Sequence, residues 1–335
     1  MSIADEYTFT MNVLVAGGCG FIGSNFVKLV LNGEFPSITS LTVIDKLSYA
    51  GNLENFSKSE MDGFKFVKGA IQDEKVLQTL ESSRFDAVIN FAAESHVDRS
   101  IGSPGTFVEN NILGTQMLLE LFRKCEWGTF LQVSTDEVYG SISEGSWDEE
   151  CPLLPNSPYS ASKASADLIC RSYRKTFNLD VRITRCSNNY GPYQFPEKVI
   201  PVFITNLLQG KPVPIYGDGR NVRDWLHVKD HCRGIVAALT KGRAGEIYNI
   251  GGGRELSNLD LASNVLRVMG FGPDRIEYVP DRLGHDLRYS VSHAKASSEL
   301  GYEPEIAFEN GLEETVSWYQ NNANWWKPLL ARIGS

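Results

Sequence analysis

The chain has no apolar run near the roughly 20 residues that a membrane-crossing helix needs. Its first ten residues are polar and acidic, unlike an export signal, which is basic and then apolar. The six cysteines (19, 125, 151, 170, 186 and 232) contain no C-x-x-C pair and do not cluster with the five histidines at metal-ligand spacing. They are expected to be reduced, mostly buried thiols of a cytoplasmic protein without a metal site. Positive charge is also scarce. With 32 Lys and Arg against 41 Asp and Glu, the formal charge is −9, which argues against general attraction to nucleic acid or to an anionic membrane surface. There are no internal repeats and no low-complexity segments. What remains is 335 residues, 42% of them hydrophobic, enough for a large core or two domains.

The first informative pattern begins at residue 12. Asn12–Ala16 reads as a buried parallel strand, followed by Gly17-Gly18-Cys19-Gly20-Phe21-Ile22-Gly23 opening a helix that runs through Leu31. Glycines 17, 20 and 23 form a G-x-x-G-x-x-G variant of the dinucleotide fingerprint. Gly17 permits the tight turn, Gly20 lets backbone amides approach a pyrophosphate, and Gly23 lets the helix meet the strand. A second strand, 41–44, ends in Asp45, 22 residues after Gly23, where an acid grips the adenosine ribose hydroxyls. A 2′-phosphate would meet that charge, so NAD is favoured over NADP, although Lys46 weakens the exclusion. Further strands at 64–69, 87–91, 130–134 and 180–185 alternate with helices at 74–81, 110–125 and 160–177. The alternation predicts an α/β fold with a Rossmann-like, doubly wound parallel sheet. After Cys186 the prolines at 192, 196, 201, 212 and 214 break up the pattern and mark a smaller C-terminal lobe. The expected division is a dinucleotide-binding domain, 11–187 with about 224–250, and a second domain, about 188–223 with 251–326.

The most specific run is Ser134-Thr135-Asp136-Glu137-Val138-Tyr139-Gly140, which places a hydroxyl and two acids at a strand end, where open α/β sheets hold their ligands. Taken alone, adjacent acids are more often a solvated turn. Both reach one substrate only if the chain leaves strand geometry near Asp136, because neighbouring strand residues face opposite ways. Tyr159 and Lys163 are four apart and share a helix face, which makes Tyr159 a candidate base. Taking a phenol from a pKa of about 10 to about 7 requires roughly 4 kcal/mol. A nearby cation lowers an acid's pKa by about 1–3, so Lys163 needs the help of a second positive charge such as an oxidised nicotinamide ring. In the later lobe Lys198, Arg220, Arg223, Arg282 and Arg288 are candidate ligands for a diphosphate.

These segments, with INFAAESHVDRSI, YSASK, CSNNYGPYQFPEKVIP, YGDGRNVRDWLHVKDH and DRLGHDLRY, span residues 12 to 326. Through them the chain resembles the extended short-chain dehydrogenase/reductases, and within them the dTDP-glucose 4,6-dehydratases. STDEVYG is the specific part, since sugar-nucleotide epimerases and decarboxylases that share the glycine loop and Y-x-x-x-K generally lack the Asp-Glu pair. The resemblance implies NAD held by Gly17, Gly20, Phe21, Ile22, Gly23, Asp45, Lys46, Ser48, Ala70, Ile71, Ala92, Ala93, Tyr159, Lys163 and Asn189. It implies Thr135 bonding the sugar's 4-hydroxyl, Asp136 as acid, Glu137 as base, and Tyr159 with Lys163 handling oxidation. Ser95, Asn188, Lys198, Val199, Pro214, Tyr216, Arg223, Asn258, Asp281, Arg282 and His285 are implied around the nucleotide-diphosphate hexose. The chain departs from the family at Ala70, where an Asp commonly faces the adenine, and at Leu283 and Leu287, which replace a frequent Pro and Arg.

The chemistry such a site implies is oxidation at carbon 4, elimination of water across carbons 5 and 6, and hydride return to carbon 6. A 4-epimerase or UDP-glucuronate decarboxylase would share the cofactor site but leave Asp136 and Glu137 without a role. A non-catalytic NAD-sensing regulator would need neither the acids nor the Tyr–Lys pair. The helices at 110–125 and 160–177 carry apolar residues on more than one face, among them Met117, Leu118, Leu119, Leu121, Phe122, Leu168 and Ile169, and the resemblance implies that they pair in a homodimer through a four-helix contact.

Overall fold

The computed structural model describes residues 10–281 and 284–333. Among the described residues twelve strands are formed: β1 Met11–Ala16, β2 Ile38–Asp45, β3 Lys65–Lys68, β4 Ala87–Asn90, β5 Thr129–Thr135, β6 Val181–Cys186, β7 Asn188–Tyr190, β8 Val213–Tyr216, β9 Val222–His227, β10 Ile247–Ile250, β11 Glu255–Ser257 and β12 Ile276–Val279. Seven of them build one sheet in the order β10-β6-β5-β4-β1-β2-β3, and every pairing in it is parallel. The strand order turns back on itself between β1 and β4, and such a reversal opens a crevice at the carboxyl ends of the strands.

The strands are apolar on both sides because helices cover both faces. Val13, Val15, Val43, Ile89 and Leu131 face the helices at 21–31 and 228–241, packing with Phe26, Val27, Ile235 and Leu239. Their neighbours Leu14, Ala16, Ile44, Val88 and Phe130 face the opposite way, onto Leu118, Leu119, Phe122, Cys170 and Tyr173 of the helices at 114–124 and 158–177. The expected doubly wound sheet is therefore present. The expected helix over 110–125 is two segments: a wider π-helical stretch, Val108–Leu113, runs into an α-helix, Gly114–Lys124.

Part of the chain beyond β6 makes a separate apolar core. Helices 199–208, 258–269, 308–321 and 323–330 bury Phe203, Leu207, Leu261, Val265, Leu312, Val316 and Trp326 together with Trp225 of β9. Two small sheets, β11-β9-β7 and β12-β8, edge this layer. It is tied to the large sheet where Trp325 Nε1 donates to Asn55 Oδ1 at 2.9 Å and where Tyr49 meets Phe195 edge-on.

Candidate active site

The crevice between β1 and β4 is where the glycine loop lies. Gly17 has φ +77°, and a Cβ there would fall 2.6 Å from the backbone nitrogen of Ala92, so the two loops that leave these strands can touch only because residue 17 is glycine. A Cβ on Gly23 would lie 2.4 Å from the Gly17 carbonyl oxygen, which explains the third glycine as the contact of helix on loop. The helix at 21–31 starts at Gly20 with no side chain capping its free amides, an arrangement that favours an anion. Gly17, Gly20, Asp45, Lys46, Ser48, Ala70, Ile71, Ala92 and Ala93 line one continuous pocket. Phe21, Ile22, Gly23, Tyr159, Lys163 and Asn189 line the adjoining cleft. The fit to a dinucleotide is good at both ends.

Asp45 is buried, and its two carboxylate oxygens accept the backbone N–H of Cys19 at 2.9 Å and of Leu47 at 2.8 Å. Burial raises its pKa against these two bonds and the nearby Lys46. The acid thus shapes the loop as well as facing the pocket. Lys46 does not offer a loose charge for a 2′-phosphate: its ammonium is held by Glu94 Oε1 at 2.9 Å and Asn110 Oδ1 at 2.7 Å. Gln72 and Asn110 also line this pocket. Sequence reasoning passed over both, because a polar residue at a loop and another inside a helix carry no motif.

At the end of β5 the backbone does leave strand geometry. Thr135 is the last strand residue and Asp136–Tyr139 form a 3₁₀ turn, whose start is capped by Thr135 Oγ1 accepting the Glu137 N–H at 3.3 Å. Asp136 is buried, with Oδ1 accepting the Thr135 hydroxyl at 3.2 Å and Oδ2 without a hydrogen-bond partner among the described residues. Burial, then the nearby Glu137 and Asp224, push its carboxyl well above the ordinary range, with Arg223 and Thr135 opposing. Glu137 is half-buried and lines both the Tyr159 cleft and the neighbouring substrate-sized cleft.

Tyr159 and Lys163 line one cleft, as their spacing implies. Lys163 is buried and its ammonium donates to the Val133 carbonyl at 2.7 Å, in the strand that ends at Thr135. Burial lowers its pKa, with Asp167 opposing. The Tyr159 phenol is pushed up, not down: burial comes first, then Glu137, Cys186 and Asp136, with a hydrogen bond to Thr135 working the other way. A shared helix face brought the two side chains to one cleft but did not make Lys163 the group that sets the phenol.

The second cleft lies between the sheet and the later lobe. Ser95, Asn188, Lys198, Val199, Pro214, Tyr216, Arg223, Asn258 and His285 all line it. Lys198 Nζ donates to the Ser95 carbonyl at 2.7 Å. Arg223 donates to the Asp286 carbonyl at 2.8 Å, and its guanidinium lies 4.4 Å from the centre of the Tyr289 ring. Asp281 is not on the wall but holds His285 Nδ1 at 2.7 Å. Arg282 and Leu283 lie outside the described residues. Two proposed anion ligands face elsewhere: Arg288 is clamped by both oxygens of Glu255 at 2.7 Å, and Arg220 is exposed beside Asp218. Leu287 is 60% exposed.

Glu197, Asp286 and Tyr289 were not singled out from sequence, although each sits in a segment that carries the family resemblance. Glu197 lines both clefts. It accepts the Tyr49 hydroxyl at 2.8 Å and lies 3.4 Å from Arg99. Among the described residues no cluster of three His, Cys, Asp or Glu side chains is placed to hold a metal ion, and no helix is long and apolar enough to cross a membrane.

Two clefts that meet at Glu137, one fitted to a dinucleotide, can be compared with known proteins. Residues 14–315 match the family model described as GDP-mannose 4,6 dehydratase. A dTDP-glucose 4,6-dehydratase of Streptomyces niveus is 53% identical over 322 residues, covering 95% of this chain and 96% of its own. The chain belongs to the dTDP-glucose 4,6-dehydratase family. Among solved structures, a double mutant of the Streptomyces venezuelae dTDP-glucose 4,6-dehydratase DesIV, with NAD and DAU bound, superposes with a TM-score of 0.93 at 52% identity, covering 95% of this chain and all of that one. The UDP-glucose 4-epimerase of Thermotoga maritima with UDP-glucose shares the fold at a TM-score of 0.86 but only 32% identity, covering 93% of this chain and all of that one. The dehydratases are thus the nearer relatives, as the Asp-Glu pair after Thr135 implies.

Proposed function

We propose that this protein dehydrates a nucleotide-diphosphate hexose, dTDP-glucose foremost, to the 4-keto-6-deoxy sugar. The observation that carries the reading is the turn at Asp136–Tyr139, which leaves Asp136 buried and Glu137 on the wall common to the cofactor and substrate clefts. NAD held by the glycine loop, Asp45 and the Tyr159 cleft would supply a hydride acceptor for carbon 4 and a hydride donor for carbon 6. The protein's own groups move the protons. Thr135 holds the 4-hydroxyl and Tyr159 takes its proton. Burial and the neighbouring carboxylates push the phenol up, so an oxidised nicotinamide bound in this cleft would have to offset what Lys163 does not. Lys163, fixed on Val133, keeps the helix face against the strand end and its charge within the cleft.

Once carbon 4 is a ketone, the proton at carbon 5 is acidic enough for Glu137 to remove. Hydroxide leaves carbon 6 poorly unless protonated. Burial pushes the Asp136 carboxyl well above its ordinary value, which favours its protonated form, and its Oδ2 has no hydrogen-bond partner among the described residues, so it is the group suited to deliver that proton. A proton returned to carbon 5 and the hydride at carbon 6 complete the product, and water is the only group lost. Lys198, Arg223 and the loop around His285 hold the nucleotide diphosphate.

We further infer a cytoplasmic homodimer, with residues 11–187 and about 224–250 serving the cofactor and about 188–223 with 251–326 serving the sugar nucleotide. The test is to incubate the protein with dTDP-, UDP- and GDP-hexoses and weigh the products. Loss of one water, 18 mass units by composition alone, from the dTDP-hexose is the expected result. A product of unchanged mass but altered stereochemistry would mean an epimerase, and loss of carbon dioxide from a uronate would mean a decarboxylase.

A further inference from the structure

The adenosine end of the cofactor pocket is lined by Ala70, Ile71, Gln72, Lys46 and Asn110. Adenine bound there would present a 6-amino group, a donor that needs an acceptor once it is removed from water. Ala70 has none in its side chain. The hydrogen bonds around Asn110 decide which atom can serve. Asn110 Nδ2 donates to the Thr106 carbonyl at 2.8 Å, which leaves its oxygen as the acceptor. That oxygen accepts twice, from Lys46 Nζ at 2.7 Å and from Gln72 Nε2 at 2.7 Å. A lysine ammonium can only donate, which fixes the Asn110 amide and through it the Gln72 amide. Gln72 has to turn its nitrogen toward Asn110. Its oxygen Oε1 accepts no hydrogen bond from any described residue. Of the other polar side chains in this pocket, Asp45 is taken up by the Cys19 and Leu47 N–H groups, and Ser48 follows the turn that Asp45 holds.

We propose that Gln72 Oε1 recognises the adenine 6-amino group and is this chain's selectivity element for the base of its cofactor. Lys46 and Asn110 are positioning residues: they orient the Gln72 amide. The assignment rests on NAD being the cofactor of this pocket.

The test uses the protein stripped of dinucleotide, with calorimetric affinities for NAD and for the NAD analogue whose adenine lacks the 6-amino group. The analogue keeps every other acceptor of the ring, so the comparison isolates one hydrogen bond. Wild type is expected to prefer NAD by about 3–10-fold, the worth of one neutral hydrogen bond. Gln72→Met keeps the side-chain length and removes the amide. It should bind both ligands equally, at the affinity wild type has for the analogue. Retention of the wild-type preference by Gln72→Met overturns the proposal. So does equal affinity of the wild type for both ligands, a result that needs no variant to fold. Binding of neither dinucleotide would refute the NAD reading itself, whereas equal binding removes only the role of Gln72.

Discussion

At the scale of single residues, Asp136 carries the sharpest physical conflict. An Asp with a pKa near 4 is protonated about one part in a thousand at pH 7 and makes a poor acid. Burial first, then the charges of Glu137 and Asp224, raise this one well above that. The same shift acts on stability. Above a pH of about 4 the unfolded chain ionises this carboxyl while the folded protein keeps it neutral, so the folded state binds more protons and stability falls as pH rises toward the folded pKa. Asp136→Asn should therefore melt at a higher temperature than wild type at pH 7, with the difference shrinking toward pH 4. It should also lose about 10²–10⁴ in dehydration rate, as should Glu137→Gln. In single turnover both should build up reduced nicotinamide absorbance with little dehydrated product, because oxidation still proceeds. Wild-type product rates in both amide variants would return the pair to a solvated turn. Tyr159→Phe separates the steps from the other side: it should lose most activity without accumulating reduced nicotinamide, while still binding sugar nucleotide. Residue types at this site were legible because each has one chemistry to offer. The partner of Lys163 was not, since i,i+4 spacing says which helix face two side chains share and nothing about the Val133 carbonyl one strand away.

At the scale of elements, the βαβ start was legible down to its individual glycines. The reason is steric: a position where a Cβ would lie 2.4–2.6 Å from backbone leaves no other residue type to choose, so Gly17 and Gly23 announce the contact they make. Gly23→Ala must push the helix off the Gly17 carbonyl, and overpacking of this kind costs typically 1–3 kcal/mol. It is expected to lower the melting temperature and to strip the protein of dinucleotide. Wild type should purify with NAD in place and turn over with little added cofactor. Stoichiometric release of NADH during turnover would contradict a cofactor that is reduced and reoxidised within one cycle. Illegible were the elements with no period to detect. β7 and β11 are three residues each, too short for alternation to register. The π-helical stretch at 108–113 reads in sequence as ordinary helix. Its wider turn nevertheless places Asn110 against Lys46 and Gln72, and Asn111 against the Glu94 backbone and Ser162, so the irregular segment is the one that serves both the cofactor pocket and the Tyr159 helix.

At the scale of the whole molecule, the question is what covers the helices on the β5 side of the sheet. The apolar residues that suggest a dimer from sequence divide into two groups in the structure. Leu118, Leu119, Leu121 and Phe122 are buried in the protein's own core and are unavailable to a partner. Leu168 is 56% exposed on the helix at 158–177, and the neighbouring segments leave Val108, Leu113 and Ile101 exposed as well. Val108 and Leu113 are five apart, the spacing that shares one face of a π-helical turn. A helix pair that packs together and still shows large aliphatic side chains outward suits association with a second copy of itself, since a two-fold contact needs only one patch that is complementary to itself. Light scattering at micromolar concentration should give twice the chain mass. Leu168→Glu places a charge on that exposed face without touching the core beneath, so it should shift the protein toward monomer while near-complete helical content is retained. Wild type that scatters as a monomer, or a Leu168→Glu protein that stays dimeric, would put the contact elsewhere or remove it.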